Sequence, residues 1–129
     1  MIQILIDTNF FMISHKNKID ILQEINRIIS EEYKLITFTG VLDELNNIAE
    51  RSKGDDGVAA RVALELIKRG NIEVLKSIGE VDNFIVNYIE KNTGEEIIVC
   101  TADAELKKRL RDKNIDFICM RSKKRLAIC

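Results

Sequence analysis

Four carboxylates, Asp7, Glu44, Asp82 and Asp103, lie far apart in the chain but at positions that a sheet could bring together. Asp7 directly follows the apolar run IQILI, and Asp103 follows IIVC by three residues, across Thr101 and Ala102. Glu44 falls one turn into the helix expected after KLITF, and Asp82 opens the helix expected before IIVC. In an open parallel sheet, ligands bind in the crevice at the carboxyl ends of the strands. Each acid also has an ordinary explanation. Asp7, Asp82 and Asp103 are good helix N-caps, and Glu44 suits the positive end of a helix dipole. As a group they are harder to explain that way, because clustered carboxylates repel one another unless a cation lies among them. An all-oxygen set points to a hard divalent ion, Mg²⁺ or Mn²⁺, which binds few protein ligands and keeps several waters.

The elements that must position these acids can be read from apolar patterning. Residues 2–6, 34–38, 72–75, 97–100 and 116–120 are short continuous apolar runs of the buried-strand kind. Between them, helical spacing marks residues 19–31, a segment from Val41 to about Arg51, and a segment from Val58 closed by Gly70. Two more helices are expected, one opened by Asp82 and ending near Gly94, the other over 103–113. SKGDDG at 52–57 has the composition of a turn, and LAIC at the end suits a short edge strand. Alternation of strands and helices, with strands apolar throughout, predicts an α/β protein: a three-layer α/β/α sandwich with a central, mainly parallel sheet of about five strands. At 129 residues, without proline, low-complexity tracts or internal repeats, the chain reads as a single domain over 1–129.

Several α/β chemistries are excluded by what is missing. No G-x-x-x-x-G-K-[ST] occurs, and the first strand runs into Asp7-Thr8-Asn9 without the glycines of a dinucleotide fingerprint. A haloacid-dehalogenase-type phosphatase needs a second Asp where Asn9 stands, and a response-regulator receiver needs an acidic pair where Asp7 stands alone. Cysteines Cys100, Cys119 and Cys129 are odd in number, include no C-x-x-C and have only His15 to complete a zinc set, so reduced core thiols are expected. No run approaches the ~20 apolar residues of a membrane span, so a cytoplasmic protein without membrane contact is expected.

The chain resembles the PIN domain nucleases. ILIDTNFFM is similar to their first motif, a strand delivering Asp-Thr-Asn, and VLDELNNIAERSKGDDGVAARVALELIKRG resembles their second, with Glu44 in V-x-x-E-L. VDNFIVNYIEKN resembles their third acidic motif, and IIVCTADAELKKRLRDKNIDFICMRSKKRL their last, with Thr101 and Asp103 in T-x-D. The resemblance implies a parallel α/β/α fold and metal-dependent endoribonuclease activity. It implies that Asp7, Glu44, Asp82 and Asp103 are both the catalytic residues and the ligands of Mg²⁺ or Mn²⁺. Asn9 and Thr101 are then implied to orient carboxylates or water. Many members have an acidic pair in the third motif, so Asn83 after Asp82 is a weaker substitute. Two branches look most similar, the small PIN proteins of pre-ribosomal RNA cleavage and the VapC-type toxins. The implied partners are RNA, an antitoxin or a ribosome-assembly factor, and a second copy in a homodimer. The competing expectation is a catalytically inactive PIN-like module that binds RNA or a protein.

Net charge is −1, but its distribution is uneven. Residues 101–129 carry nine basic and four acidic side chains, a local balance of +5, against −6 for residues 1–100. Arg121, Lys123, Lys124 and Arg125 are four cations in five residues without an acidic neighbour in sequence, which suits phosphate contacts with RNA. Arg51, Lys53 and Arg61 flank the turn at 52–57 and are further candidates. The cations of helix 103–113 read equally well as a solvated face with Glu105–Arg109 and Lys108–Asp112 pairs. With no tryptophan and few other aromatics, base stacking is not expected to carry recognition.

Overall fold

A computed structural model describes residues 1–129. In chain order the elements are β1 (Ile2–Ile6), α1 (Thr8–Lys16), α2 (Ile21–Ile28), β2 (Tyr33–Phe38), α3 (Thr39–Arg51) and α4 (Asp55–Arg69). β3 (Ile72–Leu75), α5 (Val81–Lys91), β4 (Ile97–Cys100), α6 (Ala104–Asp112), β5 (Phe117–Ser122) and β6 (Arg125–Ile128) complete the chain. The sheet order is β3-β2-β1-β4-β5-β6. The first five strands pair in parallel, and β6 folds back antiparallel on β5.

Every residue of β1 and β4 is buried, as expected of strands covered on both faces. Right-handed crossovers place α1 to α4 on one face of the sheet and α5 and α6 on the other. Phe10 and Phe11 of α1, Phe38 of β2 and Ile85 of α5 are fully buried in the core they share. The chain winds outward from β1 through β2 to β3, then returns to place β4 on the other side of β1. The carboxyl ends of β1 and β4 therefore flank the topological switch point, where such sheets bind ligands.

The expected architecture is present, with six strands instead of about five. Differences lie at element ends. α1 has no counterpart among the expected elements, because in TNFFMISHK four apolar residues run together and hide the helical period. The helix expected over 19–31 is the shorter α2, capped by Asp20, whose carboxylate accepts from the Gln23 N–H at 3.0 Å. The turn at 52–57 contracts, because α4 begins at Asp55. Gly57 is needed there: a Cβ would lie 2.1 Å from the Ser52 carbonyl oxygen. α5 starts at Val81, so Asp82 lies in its first turn and does not cap it.

The thiol expectation holds for buried Cys100 only. Cys119 and Cys129 form a disulfide. The hairpin register pairs Cys119 with Ala127, which puts Cys129 diagonally across on the same face, with a Cα–Cα distance of 6.1 Å. That distance is within disulfide range, and the register that produces it is not visible in the sequence.

Candidate active site

Asp7 leaves β1 at the switch point and is held from two sides. Its Oδ1 accepts from the Phe10 N–H at 3.0 Å and so caps α1, while its Oδ2 accepts from Thr101 Oγ1 at 2.5 Å. Thr101, fully buried just beyond β4, in turn accepts from the Asp103 N–H at 3.0 Å. Asp103 caps α6 through its Oδ1, 2.9 Å from the Leu106 N–H. Capping and clustering are thus one arrangement: the hydrogen bonds that start α1 and α6 also aim Asp7 and Asp103 at the same space.

The second pair of acids is brought in by a clasp between loops. The start of α3 lacks a side-chain cap of its own. Instead Ser77, in the loop after β3, accepts from the Gly40 N–H through Oγ at 2.9 Å and donates its own N–H to Thr39 Oγ1 at 2.9 Å. Gly40 permits this contact, since a Cβ would lie 3.0 Å from Ser77 Oγ and 3.1 Å from Val81 Cγ2. The clasp sets the first turn of α5, with Glu80 and Asp82, beside Glu44 on α3.

All four expected acids line a single cavity of about 170 Å³, together with Asn9. Asp7 is buried at its base, Asp82 and Asp103 are half-buried, and Glu44 is on the exposed rim. Besides Val81, two polar lining residues lie outside the expected set. Glu80 adds a fifth carboxylate at the rim, and Thr8 contributes a buried hydroxyl. Thr8 stands between Asp7 and Asn9 and Glu80 two residues before Asp82, and that proximity is the available signal. Asn83, by contrast, faces away from the cavity and accepts from Arg109 at 2.9 Å. The next residue of a helix points about 100° away, so a residue after Asp82 cannot share its direction.

Electrostatics follow from this crowding. Asp7 is pushed up to about 7, chiefly by burial and further by the charges of Asp82 and Asp103, against the lowering effect of its bonds to Thr101 and Phe10. Glu44 is raised by partial burial and by Asp82 and Glu80, with the Thr8 hydroxyl a partial counterweight. Asp82 is raised by burial, then by Asp103 and Glu80, and Arg109 offsets part of this. No ion pair compensates any of the cavity acids.

These residues do not form a closed metal cage, for no three Asp, Glu, His or Cys side chains converge tightly enough to grip an ion. The donor set nonetheless suits an open, largely hydrated hard cation. It is all oxygen, its charges are uncompensated, and the buried Thr8 Oγ1 in the wall lacks any hydrogen-bond partner.

The basic residues divide into groups. Ile118 is level with Cys100, so the far end of β5 and the hairpin tip at Lys123 and Lys124 extend past β4 on the same sheet edge as Thr101 and Asp103. Lys123 and Lys124 are exposed, and the Lys123 carbonyl accepts from Asn17 at 3.3 Å. Arg125 is not without an acidic neighbour: its guanidinium lies 3.3 Å from Glu24 of α2, a partner remote in sequence. Arg121 and Arg125 flank a groove with Arg27. Arg51 ends α3, about 10 Å along the helix axis from Glu44. Lys53 is exposed just beyond, and Arg61 is tied to the Ala49 carbonyl at 3.1 Å. Neither expected pair within α6 is formed: Arg109 donates to Asn83 of α5, and Lys113, just past the helix, meets Glu90 of α5 at 2.6 Å.

A parallel α/β/α sandwich with an acid-lined notch at its switch point defines a class. The PIN like domain model matches residues 4–123, and the chain belongs to that family. It is 32% identical over 126 residues to Ribonuclease VapC4 of Methanocaldococcus jannaschii, covering 96% of this chain and 94% of that protein. It is 29% identical over 123 residues to Ribonuclease VapC9 of Archaeoglobus fulgidus, covering 95% and 86%. Among solved structures, the PIN domain endonuclease Utp24 superposes with a TM-score of 0.79 at 23% identity, over 98% of this chain and 90% of that one. VapBC-1 from nontypeable Haemophilus influenzae aligns at a TM-score of 0.52 and 18% identity, over 91% and 96%. At those identities the structural likeness shows the fold.

Proposed function

We propose that the protein is an endoribonuclease that hydrolyses RNA phosphodiester bonds at the notch of Asp7, Glu44, Asp82 and Asp103, with Mg²⁺ or Mn²⁺ held there. The observation that carries this reading is the convergence of four remote, uncompensated carboxylates on one cavity at the switch point. A fold gains nothing from such repulsion unless a cation enters. Two relatives across nearly the whole chain are named ribonucleases, which supports RNA as the substrate.

When bound, the cation supplies positive charge at the phosphate and acidifies water. The protein's own residues do the rest. Thr101 fixes the direction of Asp7, and its link to the Asp103 N–H ties both acids to one geometry. Asn9, exposed at the cavity, is placed to orient water or substrate. Lys123 and Lys124, on the same edge, take the RNA backbone, with Arg121 and the partly engaged Arg125 behind them. Arg51, Lys53 and Arg61 form the alternative path. The similarity to VapC ribonucleases favours the toxin branch over ribosomal-RNA processing, with an antitoxin-type protein as partner. No helix is long and apolar enough to cross a membrane.

The test is incubation of purified protein with single-stranded RNA in Mn²⁺, Mg²⁺, Ca²⁺ or excess chelator. Internal cleavage is expected with Mn²⁺ and Mg²⁺, with Ca²⁺ serving poorly and chelator abolishing it. Tight RNA binding with no cleavage in any ion would establish the inactive binding module instead.

A further inference from the structure

Lys107 and Arg111 of α6 pack over the ring of buried Phe117, 5.9 and 5.2 Å from its centroid. Lys113, just past the helix, is neutralised by Glu90. Arg109 is held differently. It is half-buried and has no ion pair, and its Nη1 donates to Asn83 Oδ1 at 2.9 Å. A carboxylate was close at hand: Glu105, one turn earlier on α6, stands in the favoured i,i+4 order for an ion pair, yet that pair is not made. A neutral amide therefore fixes the direction of the guanidinium and leaves its charge uncancelled.

That direction is toward the notch. α6 starts at Asp103 in the notch wall and runs away from it, so Arg109 lies about 9 Å down the helix axis. Side chains on a helix lean toward its N-terminus, and Arg109 reaches back to Asn83 in the first turn of α5, next in sequence to notch-lining Asp82. The guanidinium is thus on the flank of the notch formed by α5 and α6, beside the acids but not among them. RNA approaching an acidic notch is repelled by it, and a fixed cation on the flank offsets that repulsion. A guanidinium also presents paired N–H donors that match two oxygens of a phosphate. We propose that Arg109 is a substrate-binding residue that takes an RNA backbone phosphate beside the scissile one, and that Asn83 is the positioning residue that holds it there. This inference rests on the reading of the notch as the nuclease centre. It gives Asn83 a task apart from cation binding, since an acid in its place would pair with Arg109 and cancel the charge that RNA meets.

The test compares Arg109→Gln, Arg109→Lys and Asn83→Ala with the parent. Binding of a fluorescent single-stranded RNA is read by anisotropy in Ca²⁺, where turnover is expected to be poor, and kcat and KM are read in Mn²⁺. Arg109→Gln should weaken RNA binding and raise KM by roughly tenfold, the low end for a charge-assisted hydrogen bond. Its salt slope should fall by roughly 0.7 log units per decade, the value for one contact on a single strand. kcat should stay within about twofold of the parent. The melting temperature should hold, as for a substitution outside the core. Arg109→Lys, which keeps the charge without the paired donors, should recover part of the binding. Asn83→Ala should weaken binding less, and should add nothing in the Arg109→Gln background, because it acts through Arg109. RNA affinity and salt slope of Arg109→Gln equal to the parent's would overturn the proposal. Additive losses in the double variant would overturn the role of Asn83. A parent that bound no RNA would bring down the reading of the notch as a nuclease centre, and this inference with it. A parent that binds and cleaves RNA while Arg109→Gln matches it would bring down the role of Arg109 alone.

Discussion

Two shielded carboxylates in this molecule are treated in opposite ways. Glu24, on α2, receives Arg27 through two hydrogen bonds at 2.9 and 3.0 Å, the Leu126 N–H at 3.0 Å and Arg125 at 3.3 Å. Arg27 also donates to the Leu126 carbonyl at 3.0 Å, so the pair covers the backbone groups of Leu126 and blunts the open edge of β6. With Arg27 and Leu126 as the main causes, Glu24 is lowered to about 2. Asp7 has two neutral donors, no cation and two acidic neighbours, and is pushed up to about 7. The fold can surround an acid with compensating groups when the acid holds structure together. That it gives none of the notch acids an ion pair marks them as waiting for a cation.

The contrast can be broken most severely at Asp7. Asp7→Asn should reduce RNA cleavage by roughly a thousandfold or more, as expected for loss of an interaction central to the transition state. Asn is as good an N-cap as Asp, so the metal-free melting temperature should hold or rise. Glu44→Gln and Asp103→Asn should behave alike, and Asp82→Asn more mildly. A sharp fall in metal-free stability for Asp7→Asn would place Asp7 with Glu24, as a structural acid.

Glu24→Gln should do the reverse. It weakens the tie between α2 and β6, so the melting temperature should drop by several degrees. Its kcat should stay within about twofold of the parent. Loss of turnover without loss of stability would contradict the division of roles.

The two acids also give stability opposite pH slopes. Asp7 has a folded pKa above its unfolded value near 3.8, so the folded state binds the extra proton between those values. Its contribution is fully present below the unfolded pKa and is lost as pH rises through about 7. Glu24 contributes fully above its unfolded pKa near 4.5, and that contribution is lost as pH falls through about 2. Thermal melts in chelator should therefore show declining stability from about pH 4 to 7. Asp7→Asn should flatten that decline, and Glu24→Gln should flatten the acid limb only.

The smallest effect concerns the hairpin tip. Changing Lys123 and Lys124 to alanine should weaken binding to unrelated RNA sequences alike. It should reduce the salt slope by roughly 0.7 log units per lost contact. The metal dependence of cleavage should not change. An unaltered slope would move the phosphate path to Arg51, Lys53 and Arg61.

Much of this was legible in the sequence, for physical reasons. The buried strands are continuous apolar runs, and an acid just past such a run must emerge at the sheet edge, so the positions of Asp7 and Asp103 followed from local pattern. Glu44 and Asp82 came with the helices that carry them. What was not legible depended on direction or on remote partners. Glu24 gives no sign in sequence of meeting Arg125 and Leu126, about a hundred residues away. Asn83 follows Asp82 immediately, yet the helix turns it toward Arg109. Glu80 reaches the cavity through the Ser77 clasp, which leaves no motif, and Thr8, though inside Asp7-Thr8-Asn9, is turned toward the cavity by the entry angle of α1.

The notch is expected to take up a cation in place of a proton. Calorimetric titration of the metal-free protein with Mn²⁺, near pH 6 where Asp7 is still largely protonated, measures this directly. Mn²⁺ should bind with release of a proton, since the ligand must be deprotonated. Asp7→Asn should lose most of that affinity and most of that proton release, while Glu24→Gln keeps both. Absence of Mn²⁺ uptake by the parent, or equal uptake and proton release by Asp7→Asn, would contradict the account.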